Sequence, residues 1–164
     1  MLVVSDATPL NVLVRVGVVE VLHALYERVV IPPAVERELS HSSTPTDVRQ
    51  WVLYRPAWLT VMRPRSAAAG VGPGSGEREA IALALELGAD FLLADDKAAR
   101  SEARRLGIHV TGTIGVLQLA AQRNLLNLPS SLTRLVEIGF YIDPEVVRSV
   151  VEAHDLRRRM EDGQ

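Results

Sequence analysis

Four carboxylates stand where a side chain is held in place rather than left free. Asp6 closes the apolar run Leu2–Ser5, and Asp95 closes a second run at residues 91–94. Glu38 follows Pro32-Pro33 on a helical stretch, and Glu77 opens another behind Gly74-Ser75-Gly76. Each alone has an ordinary explanation. Glu38 suits a solvated helix face, first-turn glutamates favour the positive end of a helix dipole, and an Asp before Lys97 caps a helix. One Asp is enough for a cap, and Asp96 is placed for it, which leaves Asp95 for other work. Helical phase separates the two glutamates at residues 77 and 79. Glu77 is in line with Ile81 and Ala84 on the apolar stripe, whereas Glu79 shares the expected exposed side with Glu86. Glu77 is therefore the assigned residue, with Glu79 and Asp96 in reserve. Carboxylates brought together repel unless a cation or a proton stands between them. Oxygen-only ligands suit Mg²⁺ or Mn²⁺, and such an ion serves phosphoryl chemistry.

Other chemistries lack their residues. The chain has no Cys, so thiolate zinc sites, disulfides and a Cys nucleophile are absent. His23, His41, His109 and His154 show no metal-ligand spacing, and bland roles are expected for all four. No Gly-rich loop follows the first strand, and the Pro73-Gly74-Ser75-Gly76 loop lacks the Lys-Ser/Thr end of a phosphate loop. The formal net charge of −2 gives no overall attraction to nucleic acid, so any grip on phosphate must be local. Lys97 is the only lysine; the remaining positive side chains are Arg, which binds phosphate bidentately. An Arg from residues 63–78 or 97–105 is expected to supply that grip. No apolar stretch approaches the roughly 20 residues of a membrane span, and residues 1–6 read as a strand rather than a leader. A cytoplasmic protein with no membrane contact is expected.

The acids need elements to position them. The pattern of apolar runs and breakers predicts strands at 2–5, 29–31, 58–62, 91–94 and 108–110. It predicts helices at 10–14, 18–27, 33–39, 46–53, 77–87, 97–106, 113–123, 130–138 and 144–159, with Thr8-Pro9 as the cap and first position of the first. Residues 63–76, rich in Pro, Gly, Ala and Ser, read as a loop. Strands alternating with helices imply an α/β fold, a parallel sheet with helices on both faces. In such sheets ligands bind beyond the carboxyl ends of the strands, at the switch in strand order. If the first and fourth strands are neighbours, Asp6 and Asp95 face one crevice.

At these residues the sequence resembles the PIN-domain family, most closely its small stand-alone prokaryotic members near the VapC-type toxins. The matching segments are Ser5-Asp6-Ala7-Thr8-Pro9-Leu10, Ile31-Pro32-Pro33-Ala34-Val35 up to Glu38, Gly76-Glu77-Arg78-Glu79-Ala80-Ile81, Leu92-Leu93-Ala94-Asp95-Asp96, and Val110-Thr111-Gly112-Thr113-Ile114-Gly115-Val116-Leu117. They run in the family's order and cover the chain to about residue 125. The resemblance implies a three-layer α/β/α fold with a five-stranded parallel sheet, the first and fourth strands adjacent. Residues 1–164 would form a single PIN-like domain with a helical extension at about 129–160. It implies Mg²⁺- or Mn²⁺-dependent cleavage of single-stranded RNA, with Asp6, Glu38, Glu77 and Asp95 as catalytic metal ligands. Thr8 or Thr113 would orient water or phosphate. An antitoxin protein and a homodimer are the partners it suggests. A PIN domain that binds without cutting is the alternative. A phosphatase of the haloacid-dehalogenase type fits less well, because Thr8 stands where that chemistry needs a second acid.

Overall fold

The computed structural model describes residues 1–65 and 74–162. Short runs of branched apolar residues, too short for helices, make the sheet: Leu2–Ser5 (β1), Arg28–Ile31 (β2), Leu59–Val61 (β3), Phe91–Leu93 (β4) and Val110–Thr111 (β5). All pair in parallel, in the order β3-β2-β1-β4-β5. Val4 of β1 lies between Val30 of β2 and Leu92 of β4. The chain thus winds outward through β2 and β3, then returns to the other side of β1. The switch point falls between β1 and β4, as the crevice requires.

Side-chain alternation along the strands divides the core between two faces. Val3, Val29, Ile31 and Leu93 join a large cluster with Leu10 and Leu13 of α1 (Ala7–Val16), Leu22 of α2 (Val21–Tyr26), Val35 of α3 (Pro33–Leu39) and Val48 of α4 (Thr46–Leu53). Val4, Val30, Leu92 and Ala94 face the opposite way, onto Ala80 and Leu83 of α5 (Ser75–Leu87) and Ala103 of α6 (Lys97–Arg105). The first cluster is extended by α7 (Thr113–Gln122), α8 (Leu128–Glu137) and α9 (Pro144–Asp162), through Leu117, Leu135 and Val150. The three-layer α/β/α expectation is met. Among the described residues no helix is long and apolar enough to cross a membrane.

Several boundaries differ from the expectation for local reasons. The first helix begins at Ala7, with Asp6 rather than Thr8 at the cap. Pro9 then falls on the third helical position, whose N–H has no intrahelical partner to lose. The stretch 18–27 is helical only over Val21–Tyr26, because the turn after Gly17 uses the residues before it and Glu27 closes it at φ 64°. The fifth strand starts later, at Val110. Ile108 instead closes the α6 turn, its amide bonding Ala103 O at 2.9 Å. The fifth helix starts at Ser75, two residues early, which puts Gly76 inside its first turn. Asn127, not Ser130, introduces α8, its side chain accepting from the Ser130 amide. Part of the expected loop, residues 66–73, lies outside the described residues.

Leu93 sits on β4 between β1 and β5 with no exposed surface, two residues before Asp95. Leu93→Ala is expected to cost about 2–5 kcal/mol in urea unfolding. Leu53→Ala, at a leucine 69% exposed, should change stability by less than about 0.5 kcal/mol.

Candidate functional site

The site grows from the carboxyl ends of β1 and β4. The Asp6 amide donates to Leu93 O at 2.9 Å, which extends the β1–β4 ladder by one step and sets Asp6 beside the exit of β4. Asp6 is 3% exposed, and its Oδ1 has no hydrogen-bond partner. A buried carboxyl in that state is costly when charged. Its pKa rises from 3.8 to about 7, chiefly by burial. The Ala7 amide opposes the shift, while the negative charges of Glu77, Glu38 and Asp95 add to it.

Gly76 makes this proximity possible. A β carbon there would lie 3.0 Å from Glu38 Oε2 and 3.3 Å from Asp6 Oδ1. The two carboxylates therefore face one small space that any larger residue at 76 would occupy. Glu38 is exposed along its length, but its carboxyl is raised by burial and then by Glu77. Glu77, in the first turn of α5, completes the acidic wall.

Asp95 is held differently. The Thr113 amide donates to its Oδ1 at 2.8 Å and the Thr113 hydroxyl to its Oδ2 at 2.6 Å. Burial raises its pKa; Thr113 and the Arg100 guanidinium pull it back. Arg100 is itself fixed by donating to Ala94 O at 3.1 Å. Gly112 lets the α7 N-terminus come this close, since a β carbon there would lie 2.5 Å from Arg100 Nη1 and 2.6 Å from Asp95 Oδ1.

The structure thus brings Asp6, Glu38 and Glu77 together, with Asp95 at the adjoining strand end. It corrects the reserve set. Glu79 is not on an open face: its side chain is 15% exposed, accepts from the Ala34 amide at 3.0 Å and lies 3.8 Å from Arg37. The neighbouring helix α3 supplies this contact, which periodicity within α5 alone does not reveal. Asp96 is the α6 cap, accepting from the Ala99 amide at 2.8 Å. Thr113 is fully buried and spends its hydroxyl on Asp95, so it orients that carboxylate rather than water or phosphate. Thr8 is exposed beside the cleft.

Glu38 and Glu77 line a cleft of about 610 Å³ whose other walls include Asn11, Arg37, His41 and Thr44. Asn11, His41 and Arg37 had no signal in the sequence. Asn11 reaches the site from α1, and His41 belongs to the loop after α3, where its ring bonds Ser43 Oγ at 2.7 Å. Of the arginines expected to grip phosphate, Arg100 is placed beside Asp95.

The donor set fits a hard divalent cation. It is all carboxylate, it includes an orphaned buried oxygen, and like charges there repel in the absence of a cation. Among the described residues no three His, Asp or Glu side chains are gathered closely enough to hold an ion between them. An ion here would take one or two carboxylates and keep water for the rest, the habit of Mg²⁺.

A family model described as "DUF3368: PIN domain" matches residues 2–155. Among solved structures the chain is similar to a PilT N-terminus domain protein, SSO1118, from the hyperthermophilic archaeon Sulfolobus solfataricus P2. The two are 23% identical, with a TM-score of 0.51 over 80% of this chain and 94% of the other. That likeness is one of fold. No curated protein matches the chain.

Asp6 sets a pH dependence. Its folded pKa lies above the unfolded value, so the unfolded state ionises first as pH rises. Without added cation, stability should fall between about pH 4 and pH 7 and stay low above it, by an amount on the order of a few kcal/mol. Asp6→Asn should remove most of that slope and raise the melting temperature at pH 8 more than at pH 5. Thermal melts across this range in EDTA check it. The two α5 glutamates should separate by kind of damage. Glu79→Ala should lower stability by about 1–3 kcal/mol through the unpaired Ala34 amide, whereas Glu77→Gln should leave metal-free stability equal or higher.

Proposed function

This chain belongs to the PIN-domain family, and we propose that it is a divalent-cation-dependent ribonuclease that hydrolyses phosphodiester bonds of single-stranded RNA. The observation that carries the reading is the buried, unpartnered Asp6 Oδ1, set with Glu38 Oε2 around the missing side chain of Gly76. A structural carboxylate would have been given a donor, as Asp95 is by Thr113.

Asp6, Glu38, Glu77 and Asp95 would serve Mg²⁺ or Mn²⁺, one or two of them as direct ligands and the others through bound water. Such a cation supplies an activated water at neutral pH and neutralises charge on the phosphate. Asp6 keeps a free lone pair aimed into the site. Thr113 and Arg100 fix the rotamer of Asp95, so its position costs little reorganisation during turnover. Glu38 and Glu77 carry the negative wall from the buried floor to the cleft, where the substrate enters.

Water is the expected nucleophile. His41 is the one histidine on the described cleft walls, and a lone imidazole lacks the second acid–base group needed to cleave through the RNA 2′-hydroxyl. Attack of water at phosphorus forms the new P–O bond and breaks the bond to the 3′-oxygen, which leaves as the hydroxyl. The products carry a 5′-phosphate and a 3′-hydroxyl.

Cleavage of labelled single-stranded RNA with Mn²⁺, followed by end-group analysis, tests the reading. The expected result is 5′-phosphate ends, activity abolished by EDTA, and a loss of about 10²-fold or more in Asp6→Asn. Ends bearing a 2′,3′-cyclic phosphate, or cutting that persists in EDTA, would overturn it. Mn²⁺ should also raise the melting temperature of the parent protein by mass action, and this gain should vanish in Asp6→Asn.

A further inference from the structure

A second hollow, of about 270 Å³, continues from the acidic cleft along α1 and shares Asn11, Glu38 and Thr44 with it. Its far end is closed by Ile138, Gly139 and Phe140, the turn that joins α8 to the C-terminal segment. Thr8, Asn11 and Arg15 recur at helical spacing on the α1 wall, so one helix face leads from the acids to that turn.

We propose that this hollow seats one unpaired nucleotide of the substrate beside the scissile phosphate. Phe140 offers its ring to the base, Asn11 bonds its edge, and Arg15 holds the neighbouring phosphate. The assignment rests on the ribonuclease reading for the identity of the polymer. Three observations favour a nucleotide. The hollow combines a half-buried aromatic with an amide and a guanidinium, the side-chain set that recognises unstacked bases and their backbone. Arg15 is oriented by donating from Nη2 to Ile138 O at 3.2 Å. That bond is to a neutral carbonyl, so the positive charge is retained for an anion. The hollow also opens directly onto Glu38, and a chain lying in it would pass the acidic site at its next phosphodiester. A base-paired strand would not fit, because its base faces are already stacked. The turn after α8, at residues 138–140, would then be a wall of the substrate groove.

The test is equilibrium binding of a fluorescein-labelled single-stranded RNA to the full-length Asp6→Asn protein, which reads the groove without cleavage. Phe140→Ala and Asn11→Ala should each weaken binding, the former by about ten-fold. Because Phe140 also packs against the core, Phe140→Leu serves as its companion: it keeps apolar bulk, should leave the melting temperature near the parent value, and should still weaken binding. Arg15→Gln should weaken binding and reduce the slope of log affinity against log salt by about 1. A duplex of the same sequence should compete poorly. In the cleaving protein, Asn11→Ala should raise KM more than it lowers kcat. Unchanged affinity in Phe140→Leu and Asn11→Ala, or equal competition by duplex, would overturn the assignment. So would failure of the Asp6→Asn protein to bind RNA at all. Absence of Mn²⁺-dependent cleavage by the parent, with variant-sensitive binding intact, would instead count against the nuclease reading and leave the nucleotide seat standing.

Discussion

Everything about the site follows from an unmet electrostatic demand: a carboxyl group taken out of water at the end of a central strand, with one of its oxygens given no donor. Desolvation is the largest force on Asp6; the Ala7 amide opposes it, and the neighbouring carboxylates of Glu77, Glu38 and Asp95 add to it. A fold tolerates such a group only where the rest of the structure is firm. Here the firmness comes from the sheet. Val3 and Val4 of β1 have no exposed surface, and neither do Val29 and Val30 of β2. The hydrogen bond from the Asp6 amide to Leu93 O keeps the strand end from relaxing away.

The four acids are not equivalent. Asp6 is buried with one oxygen unsatisfied, Asp95 is half-buried and bonded at both oxygens, and Glu38 and Glu77 stand on helices at the water's edge. Two fixed groups on strands and two on helices give a floor that does not move and a wall with some rotamer freedom.

Much of this was legible in the sequence. The strand ends at Asp6 and Asp95 could be read from apolar runs bounded by polar residues, and their adjacency from the switch-point rule together with the family likeness. Gly76 and Gly112 were visible as glycines, but not as the gaps that carboxylates and a guanidinium fill. The reading failed where one element answers to another. Glu79 was assigned by the phase of its own helix, yet its partner is the Ala34 amide, 45 residues away. Thr113 was expected to orient water or phosphate, yet its hydroxyl donates to Asp95, because which group a hydroxyl serves depends on how closely α7 approaches β4. Asn11 and His41 carried no pattern, since each enters the cleft from an element whose neighbours were unknown.

The bond between Glu79 and the Ala34 amide has a mechanical meaning. It ties the first turn of α3 to the second turn of α5, the two helices that carry Glu38 and Glu77. Pulling those glutamates apart would strip a half-buried amide of its acceptor, so the pair behaves as a single jaw. The loop after α3 belongs to the same jaw, since the Thr44 hydroxyl and the His41 amide both donate to Glu38 O, at 2.8 Å and 3.2 Å. The spacing of the two acids is in this way held by the scaffold around them rather than by the acids themselves.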